Sequence, residues 1–309
     1  MSQTQTIAIT GANGFIGLAL AKACLAQGIP VAVLIRKQSE AADKLASLGA
    51  RVIYGDLDNQ DALATLCRDA TVVVHCAAFM GKRDPELSHQ VNVIGTENVL
   101  KAADAHAVSQ FVFVSSISVY RGTDTPQRIF DESISPALRA DLNHYSRTKI
   151  EGEHLVEAFC KSRDLDYTIV RPTNVYGPGC RPWGDDVESL VSRFHICFGR
   201  VAFNFIHIDD LIDGFLLIFN SDRSRNETFN LCAEPLELRA FHRHVAKQKS
   251  VFVFDVPRPI DALIRHGIDG FGRYSGEIRS TGYTKIFNYP HDKATQILGY
   301  QPQRLIESK

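Results

Sequence analysis

Thr10-Gly11-Ala12-Asn13-Gly14-Phe15-Ile16-Gly17 is the stretch on which the reading of this chain turns. The apolar Ile7–Thr10 before it reads as a short strand, and the apolar-periodic residues from about Phe15 to Gln27 read as a helix. Three glycines between a strand and a helix meet the context that a dinucleotide-binding turn requires. Gly11 permits the tight turn, Gly14 lets the backbone approach a pyrophosphate, and Gly17 lets the helix pack close to the strand. The helix N-terminus would then offer its unpaired N–H groups and positive dipole end to the phosphates.

Outward from this turn, strands and helices alternate through the first two thirds of the chain. Val31–Ile35, Arg51–Tyr54, Thr71–His75, Gln110–Ser115 and Tyr167–Arg171 read as strands. Ser39–Leu48 (with Ser39 as N-cap), Asn59–Arg68, Val91–Ala105 and His144–Ser162 read as helices. Most of the strands are unbroken apolar runs, the mark of a parallel sheet covered on both faces. The expected fold is a doubly wound α/β sheet of the Rossmann kind, with a smaller, discontinuous C-terminal substrate lobe. Residues 1–175, with returning segments at about 204–232, make up the expected dinucleotide-binding domain. Residues 176–203 and 233–309 make up the lobe. Phe203–Leu211 and Thr228–Leu231 are expected to return as strands, and Leu238–Gln248, Pro259–His266 and Asp292–Leu298 to form helices.

Composition sets outer limits. The 309 residues are 45% hydrophobic and 22% charged, which excludes a disordered, collagen-like or coiled-coil chain. With 34 Lys and Arg against 35 Asp and Glu, the charge balance offers no basis for a nucleic-acid or anionic-membrane partner. No apolar run approaches the ~18 residues of a membrane span. The opening MSQTQTIAIT lacks the charged and apolar regions of a signal peptide. The seven cysteines are dispersed, with no two-residue-gap pair, which fits free thiols in a reducing cytoplasm. A cytoplasmic location is therefore expected.

Cofactor choice is read at the end of the second strand, where an acidic side chain would bind the ribose 2′-OH of NAD. The sequence there is Ile35-Arg36-Lys37-Gln38-Ser39, two cations and no acid. A guanidinium suits a 2′-phosphate, so NADP is favoured, with NAD the alternative. Asp56 and Leu57, after the third strand, could bracket the adenine. Tyr145 and Lys149 lie one turn apart on the last long helix. A phenol of pKa about 10 is too weak an acid at neutrality, and a nearby ammonium is expected to lower it. Ser116, at a strand end, could hold a substrate oxygen against the Tyr145 phenol.

Taken together, TGANGFIG at 10–17, GDLDN at 55–59, VVVHCAA at 72–78, VNVIGTENVL at 91–100, FVFVSSISVY at 111–120, YSRTK at 145–149, RPTNVYGPG at 171–179 and FIHIDDL at 205–211 resemble the extended short-chain dehydrogenase/reductases of the NAD-dependent epimerase/dehydratase type. FNL at 229–231 and DKATQILGYQP at 292–302 extend the likeness over nearly the whole chain. The resemblance implies Ser116, Tyr145 and Lys149 as the catalytic triad, with Tyr145 as general acid/base and Lys149 also holding the nicotinamide ribose. It implies that Gly11, Asn13, Gly14, Phe15, Ile16, Gly17, Ala77, Ala78 and Pro172 line the cofactor. Asn174 would face the substrate, while Asn92 would make a structural helix–sheet hydrogen bond. His207, Asp209 and Asp210 cluster, yet the resemblance gives that segment a structural role, and no metal is expected. A homodimer through the helices beginning near Val91 and His144 is also implied.

Two departures bear on substrate. Relatives acting on nucleotide-sugars carry an Arg just before the FIHIDDL segment. Here that stretch is Val201-Ala202-Phe203-Asn204, with Arg200 further back. The later Arg-Pro-Gly-Asp signature is also missing, Arg279-Ser280-Thr281-Gly282 being its nearest relic. Losing two diphosphate-binding cations argues for another substrate. Trp183, Phe194, Phe198 and Phe203 could line a site for a small, apolar ketone or alcohol. The expected activity is therefore NAD(P)-dependent ketone–alcohol interconversion. A nucleotide-sugar epimerase or dehydratase is the alternative, and a non-catalytic NADP-sensing protein is a third reading.

Overall fold

The structure is a computed structural model that describes residues 5–81, 84–123, 129–140, 142–180, 195–197, 202–263 and 288–304. Its centre is a seven-stranded, all-parallel sheet. The strands are β1 (Ile7–Thr10), β2 (Val31–Ile35), β3 (Arg51–Tyr54), β4 (Val72–His75), β5 (Gln110–Val114), β6 (Asp166–Pro172) and β10 (Glu227–Leu231). Across the sheet they run β3-β2-β1-β4-β5-β6-β10. Chain order reverses between β1 and β4, which opens a crevice at the carboxyl ends of these two strands, where such sheets take their ligands.

Alternation along each strand divides its side chains between two cores. Ile7, Ile9, Val31, Val33, Val72 and Val74 pack on one face, against α1 (Phe15–Ala26), α2 (Glu40–Ser47) and α7 (Ile208–Phe219). Ala8, Ala32, Leu34, Val73, Phe111 and Phe113 pack on the other, against α3 (Gln60–Cys67), α5 (Gly95–Ala105) and α6 (His144–Arg163). Both faces are buried, which is why the strands read as continuous apolar runs. Ser39 and Asn59 cap α2 and α3 by accepting from Ala42 N and Ala62 N.

The segment before α5 departs from a plain helix. α4 (Pro85–His89) runs into one π-turn at Gln90–Ile94, and α5 continues from Gly95. A single π-turn inside a helix commonly marks a functional place, and this one carries Asn92.

Phe203–Leu211 is not a strand returning to the main sheet. β9 (Ala202–His207) pairs parallel with β7 (Asn174–Tyr176) and antiparallel with β11 (Pro235–Glu237), forming a separate three-stranded sheet. α7 begins at Ile208, because the His207 side chain accepts from Asp209 N and starts the helix. α8 (Leu238–Gln248) and α9 (Asp292–Leu298) form as expected. The helix expected at Pro259–His266 is present over 258–263, and the rest of it lies outside the described residues. A two-stranded sheet pairs β8 (Ile196–Cys197) with β12 (Phe254–Asp255). No helix among the described residues is long and apolar enough to cross a membrane.

Candidate active site

Gly11 has φ +70°, and a Cβ there would lie 2.6 Å from the Ala77 nitrogen. The turn after β1 is thus pressed against the chain leaving β4, and no side chain larger than hydrogen fits. At Gly17 a Cβ would sit 2.5 Å from the Gly11 carbonyl oxygen, so the first turn of α1 rests directly on the loop. Gly14 is the N-cap of α1, with no side chain capping the first turn. Asn13 and Gly14 are exposed, and Phe15 and Ile16 partly so. A backbone cradle with uncapped amides fits a pyrophosphate.

The carboxyl end of β4 is fixed by a polar chain with one consistent direction. Thr96 Oγ1 donates to the Asn92 carbonyl at 2.7 Å, so it accepts from His75 Nε2 at 3.0 Å. His75 Nδ1 is then left to accept from the Thr10 hydroxyl at 2.7 Å, and Thr10 Oγ1 accepts from Ala77 N at 3.3 Å. Burial, aided by the Lys149 charge, pushes the His75 pKa down to about 3, so the ring is neutral, as this chain of bonds requires. Ala77 and Ala78, half-buried, follow directly.

Asn92 ties this segment to α6. Its side chain accepts from Phe79 N at 2.6 Å and donates to the Phe79 carbonyl and to Thr148 Oγ1, both at 3.0 Å. Thr148 Oγ1 in turn donates to the Tyr145 carbonyl at 3.1 Å. Asn143 caps α6 by accepting from Ser146 N at 2.8 Å.

Ser116, Tyr145 and Lys149 converge at the end of β5. Ser116 accepts from Ser118 N at 3.1 Å, opening a 3-10 turn over Ile117–Gly122, and its side chain lies near enough to the Tyr145 phenol to influence its acidity. Lys149 is buried, donates to the Val114 carbonyl at 2.7 Å, and lies 5.9 Å from the Tyr145 ring centre. Burial lowers its pKa to about 8, against the opposing pull of Cys76 and Glu153. The expectation that the ammonium lowers the Tyr145 pKa is not met. Burial raises the phenol to about 12, opposed by the nearby Ser116 side chain. The Lys149 hydrogen bond goes to Val114 and not to the phenol.

The remaining predicted positions are more dispersed. Arg36 and Lys37 are exposed where β2 ends. Asp56 is exposed after β3, and its Oδ1 accepts from Asp58 N and Asn59 N, both at 3.0 Å. The Leu57 carbonyl accepts from Asn98 of α5 at 2.9 Å, and its side chain packs over Gly95. Pro172 is buried at the end of β6. Asn174 is exposed and donates to the Asn204 carbonyl at 3.3 Å. Trp183, Phe194, Phe198, Arg200, Val201 and Arg279–Gly282 lie outside the described residues, and Phe203 is described only as part of β9.

Asp210, almost fully buried, accepts from Gln303 N, Arg304 N and the Arg304 guanidinium, anchoring the chain beyond α9. Among the described residues, no three His, Cys, Asp or Glu gather as a metal site.

Sequence reasoning missed a buried polar cluster beside the triad. Glu153 and Arg171 form a two-pronged ion pair at 2.9 and 2.7 Å, and Ser115 donates to Glu153 Oε1 at 2.5 Å. Tyr120 receives Arg171 Nη1 at 2.9 Å. The available signal was spacing, since Tyr145, Lys149 and Glu153 recur every four residues along α6.

Comparison with known proteins agrees with this geometry. Residues 7–232 match the NAD dependent epimerase/dehydratase family. A ketoreductase of Stigmatella aurantiaca that acts on a farnesylated quinoline oxide is 30% identical, over 75% of this chain and 70% of its own. Vibrio cholerae UDP-glucose 4-epimerase is 27% identical over 98% of this chain and 92% of its own. Among solved structures, gox2253 superposes with a TM-score of 0.77 at 26% identity, covering 97% of this chain and 93% of its own. Bacillus cereus UDP-glucuronic acid 4-epimerase, solved with NAD, has a TM-score of 0.77 at 22% identity, covering 98% of this chain and 94% of its own. Cradle, parallel sheet and sequence match all lead to one assignment: the chain is an oxidoreductase/epimerase-superfamily enzyme and belongs to the NAD dependent epimerase/dehydratase family.

Proposed function

We propose that this enzyme is an NADP-preferring oxidoreductase that interconverts a ketone or aldehyde and an alcohol on a small, apolar substrate. The observation that carries the proposal is the convergence of the Ser116 and Tyr145 side chains at the end of β5, with Lys149 one turn along the same helix. A substrate oxygen held by the Ser116 hydroxyl would lie within reach of the Tyr145 phenol, which gives or takes the proton. The nicotinamide, when bound, supplies or accepts the hydride. Gly11, Asn13, Gly14, Phe15, Ile16 and Gly17 would hold the pyrophosphate, and Arg36 with Lys37 the 2′-phosphate. Asp56 and Leu57 would flank the adenine, and Ala77, Ala78, Lys149 and Pro172 the nicotinamide riboside. Asn174 would meet the substrate from the rim.

The missing diphosphate cations and the ketoreductase relative support the apolar-substrate reading. One observation favours the epimerase reading, namely that the Vibrio cholerae epimerase matches almost end to end, C-terminal lobe included. The two readings differ in how the dinucleotide is held. Fluorescence titration of the purified protein with NADPH and NADH, with mass spectrometry of any co-purifying dinucleotide, separates them. Reversible binding that prefers NADPH, with turnover on a panel of carbonyl compounds, is the expected result. Tightly retained NAD without net redox turnover would replace it with the epimerase.

A further inference from the structure

Glu153 is 2% exposed and Arg171 3%, and neither belongs to the Ser-Tyr-Lys set. A buried charge pair in that position is costly to desolvate and is poor evidence of stability alone. What distinguishes this one is the company it keeps. Ser115, bonded to Glu153, is the neighbour of Ser116, and Arg171 is the neighbour of Pro172. Glu153 itself stands one turn beyond Lys149 on α6. Tyr120, which receives Arg171, shares its one proton between Asn230 Oδ1 at 2.9 Å and the Asp131 carbonyl at 3.1 Å. The pair therefore joins the end of β5, the catalytic helix and the end of β6.

We propose that Glu153 is a positioning residue for this active site: its carboxylate fixes the Ser115–Ser116 strand end against α6 and serves as the counter-charge that keeps Lys149 an ammonium. The deduction rests on the reductase reading only for its consequence on turnover. The charged and titratable surroundings of Lys149 explain why one carboxylate matters. From β4 it faces the neutral His75 ring and the Cys76 thiol, which burial pushes up to about 12. From β5 it meets the Phe113 ring and the Val114 carbonyl. On its own helix stand Tyr145 and Glu153, and from β6 comes the Arg171 cation bound to Glu153. Cys76 and Tyr145 are uncharged at neutrality by their raised values, which leaves Glu153 as the anion that opposes desolvation of Lys149.

The direct test titrates Lys149 without using turnover. Trace acetylation with acetic anhydride across a pH series, read by mass spectrometry on the Lys149 peptide, gives the midpoint in wild type and in Glu153→Gln. Losing the carboxylate while Arg171 stays charged is expected to move that midpoint down by about one unit. An unmoved midpoint in a folded Glu153→Gln protein overturns the proposal. Should that variant not fold, Glu153→Gln combined with Arg171→Met removes both charges and leaves neither unpaired. Its midpoint is again expected to fall, and a wild-type midpoint again overturns the inference. Ser115→Ala keeps the carboxylate and loses the strand-end bond, so it should lower kcat with Lys149 unmoved, whereas an unchanged kcat removes the positioning half. If the wild-type protein reduces no carbonyl compound, the reductase reading fails, while the acetylation comparison still decides the role of Glu153 toward Lys149.

Discussion

Thr10 and His75 face each other in register across β1 and β4, and the Thr10 hydroxyl donates to His75 Nδ1 at 2.7 Å. These strands flank the crevice where chain order reverses, so the floor of that crevice is pinned by a ring that must stay neutral. The His75 pKa is held at about 3, below its ordinary 6.5, chiefly by burial. With the folded value depressed, the stabilising contribution is complete above about 6.5 and is lost progressively as pH falls toward 3. Thermal unfolding should therefore show a Tm that declines from pH 7.5 to pH 5. In His75→Gln the Tm is expected to be lower at pH 7.5, with a shallower decline. A parallel decline in both proteins would show that another group governs it.

Tyr145→Phe removes the phenolic oxygen and leaves the ring. Turnover should fall by roughly 10²–10⁴-fold, the usual worth of a positioned general acid. Dinucleotide affinity should change less than about threefold, since the residues proposed to cradle the pyrophosphate are untouched. Stopped-flow reduction together with fluorescence titration reads both quantities.

Arg36→Ala concerns an exposed side chain, and the fold should not register it. A lost charge-assisted contact to a phosphate is worth about 1.5–3 kcal/mol, or roughly 10–150-fold in NADPH affinity. NADH affinity should be unchanged. Equal loss for both dinucleotides would remove Arg36 from the 2′-phosphate site.

Gly17→Ala places a methyl group 2.5 Å from the Gly11 carbonyl oxygen, between backbone and backbone. Neither side has a flexible side chain that can move away. Destabilisation of about 1–3 kcal/mol is expected, measured by urea unfolding, with weaker dinucleotide binding. Gly28→Ala is the informative control, because no atom lies near its hypothetical Cβ; its positive φ still carries a strain cost, though without effect on binding.

Much of this architecture is legible in the sequence because its signals are local. Continuous apolar runs mark the buried strands, Ser39 and Asn59 mark helix starts, and Gly17 answers to a contact within its own loop. Ser116, Tyr145 and Lys149 could be named because the strand end and the helix each carry their own signal. What escaped depends on distant partners. Ala202–His207 has a strand's pattern, but which sheet it joins is decided by Asn174–Tyr176 and Pro235–Glu237. The π-turn at Gln90–Ile94 leaves no mark in hydrophobic period. Glu153 reads as an ordinary helix surface residue until Arg171, on a strand, arrives to pair with it. The state of Tyr145 is hidden for a similar reason, since its spacing from Lys149 reveals nearness but not desolvation.

Asn204 shows how far such distant pairing reaches. Its side chain donates to the Ala233 carbonyl at 2.8 Å and accepts from Tyr289 N at 3.2 Å, while its carbonyl receives Asn174 at 3.3 Å. Three stretches far apart in the chain are thereby knotted at one buried amide. One residue of β9 thus ties together β7, the chain just after β10 and the chain just before α9. A change to Asn204 itself would loosen all three ties together.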